Sequence, residues 1–141
     1  MNSAWNPALA TGVGLVDTEH QEIFRQAAVL HQAMSDGKGR EELAKIINFV
    51  DDYIVSHFAH EEKVMDQYRC AIAEVNKQAH TKFIAKFKEL KAKFEAAGAS
   101  TTLVLDIAKT INDWLVQHIK QIDSQLATCT KTATKETAGA R

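Results

Sequence analysis

The 141-residue sequence predicts an all-α fold, an antiparallel up-down-up-down four-helix bundle. Three observations lead there. The only proline, Pro7, lies near the start, and the six glycines fall in TGVG, DGKG, AAGA and the tail. The long stretches between them are therefore free of the two strong helix breakers. Within those stretches apolar residues recur at three- and four-residue spacing, with no period-2 alternation of note. The segments are joined by short connections, which makes successive helices antiparallel neighbours.

The spacing predicts a first helix from about Asp17 to Met34, with His20, Ile23, Phe24, Ala27, His31 and Met34 on one face. Asp17 or Thr18 is the expected N-cap, and Glu19 and Glu22 make the first turn acidic, as the helix dipole favours. SDGKG ends it. A second helix, about Arg40 to Asp66, aligns Leu43, Ile46, Ile47, Val50, Ile54, His57, Glu61 and Val64. The third, about Ala71 to Ala96, aligns Asn76, His80, Phe83, Ile84, Phe87, Leu90 and Phe94, and AAGAS ends it. Ser100, Thr101 or Thr102 caps the fourth, which aligns Val104, Ile107, Ile111, Trp114, Leu115, His118 and Ile122. The expected organisation is an N-terminal arm over 1–16 packed on the bundle, the bundle over 17–127, and a small, polar, disordered tail over 128–141. Trp5 and Trp114 are expected to anchor the arm and the last helix. Lys86, Lys88, Lys91 and Lys93 read as a solvated face.

Composition excludes several classes. Hydrophobic residues at 45% and charged residues at 25% suit one globular domain with a sizeable core. A formal net charge of -1 gives no basic field for nucleic acid or anionic membranes. No apolar run approaches the ~20 residues needed to cross a bilayer, and the N-terminus lacks the pattern of a signal peptide. Cys70 and Cys129, with no CxxC spacing, are expected to be free thiols of a reducing compartment. A cytoplasmic monomer is the default.

The inward faces carry unusual polar residues. The first helix presents His20, the second His57 and Glu61 four residues apart on one face, the third His80, and the fourth His118 followed by Asp123. A lone histidine on an apolar stripe is usually a hydrogen-bonded core residue. Burying two carboxylates and four imidazoles together is different: uncompensated, it costs several kcal/mol per group. Paired cations compensate it, and imidazole plus carboxylate without thiolate suits iron, manganese or zinc. The heights agree as well. In antiparallel neighbours the beginning of one helix lies beside the end of the next, so all these residues gather at one end.

The stretches DTEHQEIF, HFAHEE, AHTKFIAKF and WLVQHIKQID, together with that spacing, resemble the four signature helices of the bacterial hemerythrins from about Trp5 to Leu126. The family pattern is H…HxxxE…HxxxH…HxxxxD around two irons. The resemblance implies that His20 and His57 hold one iron and that His80 and His118 hold the second. Glu61, Asp123 and an oxo or hydroxo group would bridge them. The first histidine of HxxxH is replaced by Asn76, a neutral and weaker ligand than imidazole. In the family the iron on that side is coordinatively saturated and dioxygen binds at the other; with Asn76 both offer an open or labile position. Apolar residues of the same stripes, Ile23, Phe24, Ile54, Phe58, Phe83, Ile84, Leu115 and Ile119, would line the oxygen pocket and exclude water.

Three local points bear on this ligand set. Asp123 follows His118 by five residues, about 140° away on an ideal helix, so a bridging role needs a widened turn. His60 reads as a boundary residue rather than a replacement imidazole. His31 lies about 16 Å along the helix from His20, too far to share its metal. The leading functional expectation is a non-haem diiron oxygen-binding protein for storage, delivery or sensing. The alternative is a diiron redox enzyme that turns over peroxide, nitric oxide or oxygen beside Asn76 and is served by an electron donor. A third reading is an iron-handling or signalling module without oxygen chemistry.

Overall fold

The computed structural model describes residues 5–98 and 100–130. A 3₁₀ turn at Pro7–Leu9 leads into four helices: α1 (Gly14–Ser35), α2 (Arg40–Gln67), α3 (Ala73–Ala97) and α4 (Thr101–His118). A π-helical stretch, Ile119–Asp123, follows α4, and 125–130 is again α-helical. No strand occurs among the described residues. The main packing pairs are α1 with α2 and α4, and α3 with α2 and α4. This is the antiparallel square that short connections impose.

Helix ends follow local chemistry, with one departure from expectation. α1 begins at Gly14, and its N-cap, Val13, makes no side-chain bond. Asp17, expected at the cap, sits inside the first turn and reaches back to accept from the Thr11 backbone N–H at 2.7 Å and hydroxyl at 2.8 Å. Its charge still faces the positive helix end, while the cap is moved upstream. Ser100 caps α4 by accepting from the Leu103 N–H at 3.1 Å. α2 closes with Arg69 at φ 52 and the Cys70 N–H donating to the Met65 carbonyl at 2.9 Å. This left-handed closure turns Cys70 back toward the bundle end.

Two apolar clusters bracket the polar residues. The larger fills most of the bundle and includes Ile23, Ile54, Phe83, Phe87, Ile107 and Ile111. The smaller, Val16, Met65, Cys70, Ile122 and Leu126, lies beyond the histidines and caps that end. Trp5 packs against the main core, as expected of the arm, and Leu9 is buried there. Of the lysine run, Lys86, Lys88 and Lys93 are exposed, but Lys91 is half-buried and pairs with Asp51 at 3.0 Å.

Two expectations are corrected. Cys70 and Cys129 are not free: they form a disulfide, with Cα atoms 5.7 Å apart. Spacing along the chain could not reveal a pair 59 residues apart, because only the fold brings the terminal helix over the α2–α3 turn. That helix also corrects the start of the tail, since 128–130 is helical; the rest of the expected disordered segment, 131–141, lies outside the described residues.

Candidate metal centre

The six predicted donors come together. His20, His57, Glu61, His80, His118 and Asp123 are all buried, none more than 4% exposed. Their heights match because His20 and His80 lie near the starts of α1 and α3, and His57, Glu61 and His118 near the ends of α2 and α4, so antiparallel packing gathers them at one end of the bundle. The π-helical stretch supplies the widened turn, with the Ser124 N–H donating to the Ile119 carbonyl at 2.8 Å. The added residue per turn brings Asp123 round to the face of His118.

Each carboxylate faces two ways. Glu61 Oε2 lies 3.4 Å from His20 Nε2 and 3.3 Å from His57 Nε2. Its Oε1 lies 3.1 Å from His80 Nε2 and 3.4 Å from His118 Nε2. Asp123 repeats the division, Oδ2 at 3.1 Å from His20 and Oδ1 at 3.3 Å from His118. Two triads that can hold a metal ion result, His20–His57–Glu61 and Glu61–His80–His118, with Glu61 common to both.

These separations suit a metal better than hydrogen bonding. Donors about 2.1 Å from one ion and at right angles to each other lie ~3 Å apart. His20 Nε2, His57 Nε2, Glu61 Oε2 and both Asp123 oxygens are buried yet make no hydrogen bond, despite lying within ion-pair distance of one another. Atoms this close but not aimed at each other fit an ion placed between them. Asn76 joins the second group: it is fully buried, and its Oδ1 lies 2.9 Å from His118 Nε2. Its Nδ2 is buried without a partner.

Without cations, protons supply the compensation. Burial pushes the His57 imidazole down, but Glu19, Glu61 and Asp123 override it and raise its pKa to about 9. His118 behaves alike: Asp123 and Glu61 overcome burial and raise it to about 9. Burial also opposes the charged form of His20, and Asp123 and Glu61 again win. Burial pushes Glu61 up, but the four imidazoles together hold its carboxyl well below the usual range.

Two acids that sequence reasoning passed over sit behind the imidazoles. Glu19, read as a helix-start charge, is 7% exposed and holds His57 Nδ1 at 3.2 Å with one oxygen. Its other oxygen holds His60 Nδ1 at 2.8 Å. His60 therefore faces Glu19, outside both triads, in keeping with a boundary role. Glu62 holds His80 Nδ1 at 3.0 Å. Their positions next to His20 and Glu61 were the available signal, but only the packing of α1 on α2 and α2 on α3 shows what they face. A carboxylate on the outer nitrogen fixes the tautomer and leaves Nε2 free to bind metal. Glu19→Ala is expected to weaken metal binding at the His57 side about 10- to 100-fold in chelator competition. Glu22 pairs with Arg25 and touches no imidazole of the site, so Glu22→Ala is the control, and equal affinities would refute the role.

The aromatic wall was also only partly foreseen. Phe58 stacks on His80, ring centroids 3.8 Å apart, and Trp114 stacks on His118 at 4.4 Å. One turn inward lies a narrow cavity lined by Ile23, Ile54, Phe58, Phe83, Ile111, Trp114 and Leu115. Five expected pocket residues are among them. Phe24 and Ile119 are buried in the core and Ile84 is half-buried, and none of the three lines the cavity, which takes Ile111 and Trp114 instead. A period-3.6 stripe identifies the buried face but not which buried residue borders a gap. His31 is half-buried on α1 and belongs to neither triad.

The Hemerythrin HHE cation binding domain matches residues 11–129. This chain belongs to the hemerythrin family. It is 32% identical over 126 residues to a bacteriohemerythrin of Methylococcus capsulatus, covering 89% of this chain and 94% of that one. A myohemerythrin of Sipunculus nudus is 32% identical over 119 residues, covering 84% and 86%. A wild-type hemerythrin crystal structure superposes with a TM-score of 0.82 at 32% identity, over 92% of this chain and 98% of that chain. Hemerythrins are known for a diiron centre that binds dioxygen, and the His/Glu clusters of this member fit a metal site. No helix among the described residues is long and apolar enough to cross a membrane.

Proposed function

We propose that this hemerythrin is a non-haem diiron oxygen-binding protein, serving storage, delivery or sensing of dioxygen. The observation that carries the reading is the division of Glu61 and Asp123, each giving one oxygen to each histidine group. His20 and His57 would hold one iron and His80, His118 and the Asn76 amide oxygen the other, with the two carboxylates and an oxo or hydroxo group bridging. Such a pair supplies two electrons for reversible dioxygen binding. The protein's part is to orient and exclude. Glu19 and Glu62 fix the rings of His57 and His80. The narrow cavity beside the imidazoles is lined by apolar side chains and offers water few polar partners. The reading includes a cytoplasmic monomer.

Asn76 favours a second reading, a redox enzyme turning over peroxide, nitric oxide or oxygen with electrons from a donor. Its Nδ2 is a buried donor without a hydrogen-bond partner beside His118, and a polar ligand would satisfy it. Optical spectra of the iron-loaded protein during oxygen cycling separate the readings. Repeated uptake and release supports oxygen binding, whereas irreversible conversion to the ferric form on first exposure counts against it. Asn76→His is expected to slow that conversion by tenfold or more, about 1.4 kcal/mol in barrier. An unchanged rate and unchanged peroxide turnover would deprive Asn76 of any special role.

A further inference from the structure

We propose that Cys70 and Cys129 form a redox-operated latch that decides how firmly Asp123 is held at the metal centre. The inference rests on the reading of Asp123 as a metal ligand. Glu61 lies within α2 and is anchored by helix on both sides. Asp123 is placed differently: it ends the π-helical stretch, and beyond it the described chain holds only the short helical segment 125–130. A helix that short is not stable alone. Ile122 and Leu126, buried against Val16 and Met65, fasten it noncovalently. The Cys70–Cys129 bond ties the same segment to the α2–α3 turn, between the helices carrying Glu61 and His80.

The bond joins residues 59 positions apart, and a crosslink restricts the open ensemble more the longer the loop it closes. Opened, the segment loses its covalent tie while Ile122 and Leu126 remain as apolar anchors, and fraying from the C-terminal side reaches Asp123 before any other donor. Cys129 is half-buried whereas Cys70 is 7% exposed, so Cys129 Sγ is the sulfur open to attack. A thiolate of a dithiol reductant attacks it, the sulfur–sulfur bond breaks, and Cys70 leaves as a thiolate that takes a proton. The second reductant thiol resolves the mixed disulfide and frees Cys129 as a thiol, the reductant leaving as a disulfide. Two electrons and two protons pass to the chain. Closure is the reverse, with a small disulfide such as oxidised glutathione as the acceptor.

Two measurements on the full chain test the latch. In metal-free protein, hydrogen exchange over 119–130 is followed with the pair oxidised and after reduction by a phosphine. Exchange there is expected to quicken about tenfold or more on reduction while the α2 interior is unaffected. In zinc-loaded protein, which the phosphine does not reduce at the metal, transfer to a chelator is expected to accelerate by a similar factor. Cys129→Ser and Cys70→Ala should both match the reduced protein and ignore the reductant. Unchanged exchange on reduction overturns the latch, as does alkylation of both thiols after treatment with oxidised glutathione. Faster exchange with unchanged zinc transfer overturns its link to the metal centre. Failure to bind zinc at all instead sinks the metal reading, and hydrogen exchange still decides whether the bond fastens the segment.

Discussion

Glu61→Ala is expected to reduce the metal content from two ions per chain to less than one. Among the described residues no other side chain touches all four imidazoles: His20, His57, His80 and His118 each lie 3.1–3.4 Å from one of its oxygens. On the proposed ligand set its removal takes a ligand from both positions, and it takes the main counter-charge from a fully buried cluster. Breaking a buried charge pair by deleting one partner typically costs about 3–5 kcal/mol. Part of that is recovered here as the imidazoles shed protons. Glu61→Gln separates charge from volume: it keeps the packing, and it too should fail to hold two ions. Metal analysis after gel filtration provides the check. Two tightly held ions in Glu61→Ala would mean that the bridging assignment is wrong.

Removing the metals should lower the melting temperature, and the gap should widen as pH rises from about 6.5 to 9. Metals bind the native chain selectively, and free metal at 100–1,000 times its Kd contributes about 3–4 kcal/mol. For a chain of this length that is roughly 10 °C. The pH dependence comes from the metal-free partner. His57 and His118 are raised from 6.5 to about 9 in the fold. Groups raised on folding stabilise the native state fully below their unfolded pKa and lose that contribution as pH rises through the folded value. The metal-free protein therefore weakens across this window. The loaded protein does not, since its imidazoles bind as neutral ligands, and its metal affinity grows as fewer protons must be displaced. Calorimetric scans of loaded and chelated protein at pH 6.5, 7.5 and 9 measure the gap. A gap that stays constant or narrows would show that the imidazoles are not proton-loaded in the metal-free state.

Much of this was legible because helical periodicity is a local property. The stripe through Ile54, His57 and Glu61 identifies the inner face of α2 without reference to any other helix, and glycine breaks locate the turns before α1, α2 and α4, whereas the α2–α3 turn carries none. The convergence of His20, His57, His80 and His118 follows from helix lengths and antiparallel connection alone. The need for a widened turn before Asp123 was equally arithmetic, five residues being out of phase on an α-helix. Less legible were features that depend on which neighbour faces which. Glu19 resembles any acidic first-turn residue until α2 brings His57 and His60 against it. Trp114 reads as an anchor until it is seen stacked on His118 and bordering the cavity.

The sequence by itself determined four helices, their order and the depth at which six donor side chains meet, because repeat period and segment length act along the chain. It also determined that one imidazole position carries Asn76. Tertiary structure alone decided that the amide reaches His118, that each carboxylate splits its oxygens between two groups, and that Cys70 meets Cys129. Those outcomes depend on distances of a few ångströms between residues up to 103 positions apart, as for His20 and Asp123. Only the packing of side chains between helices sets such distances.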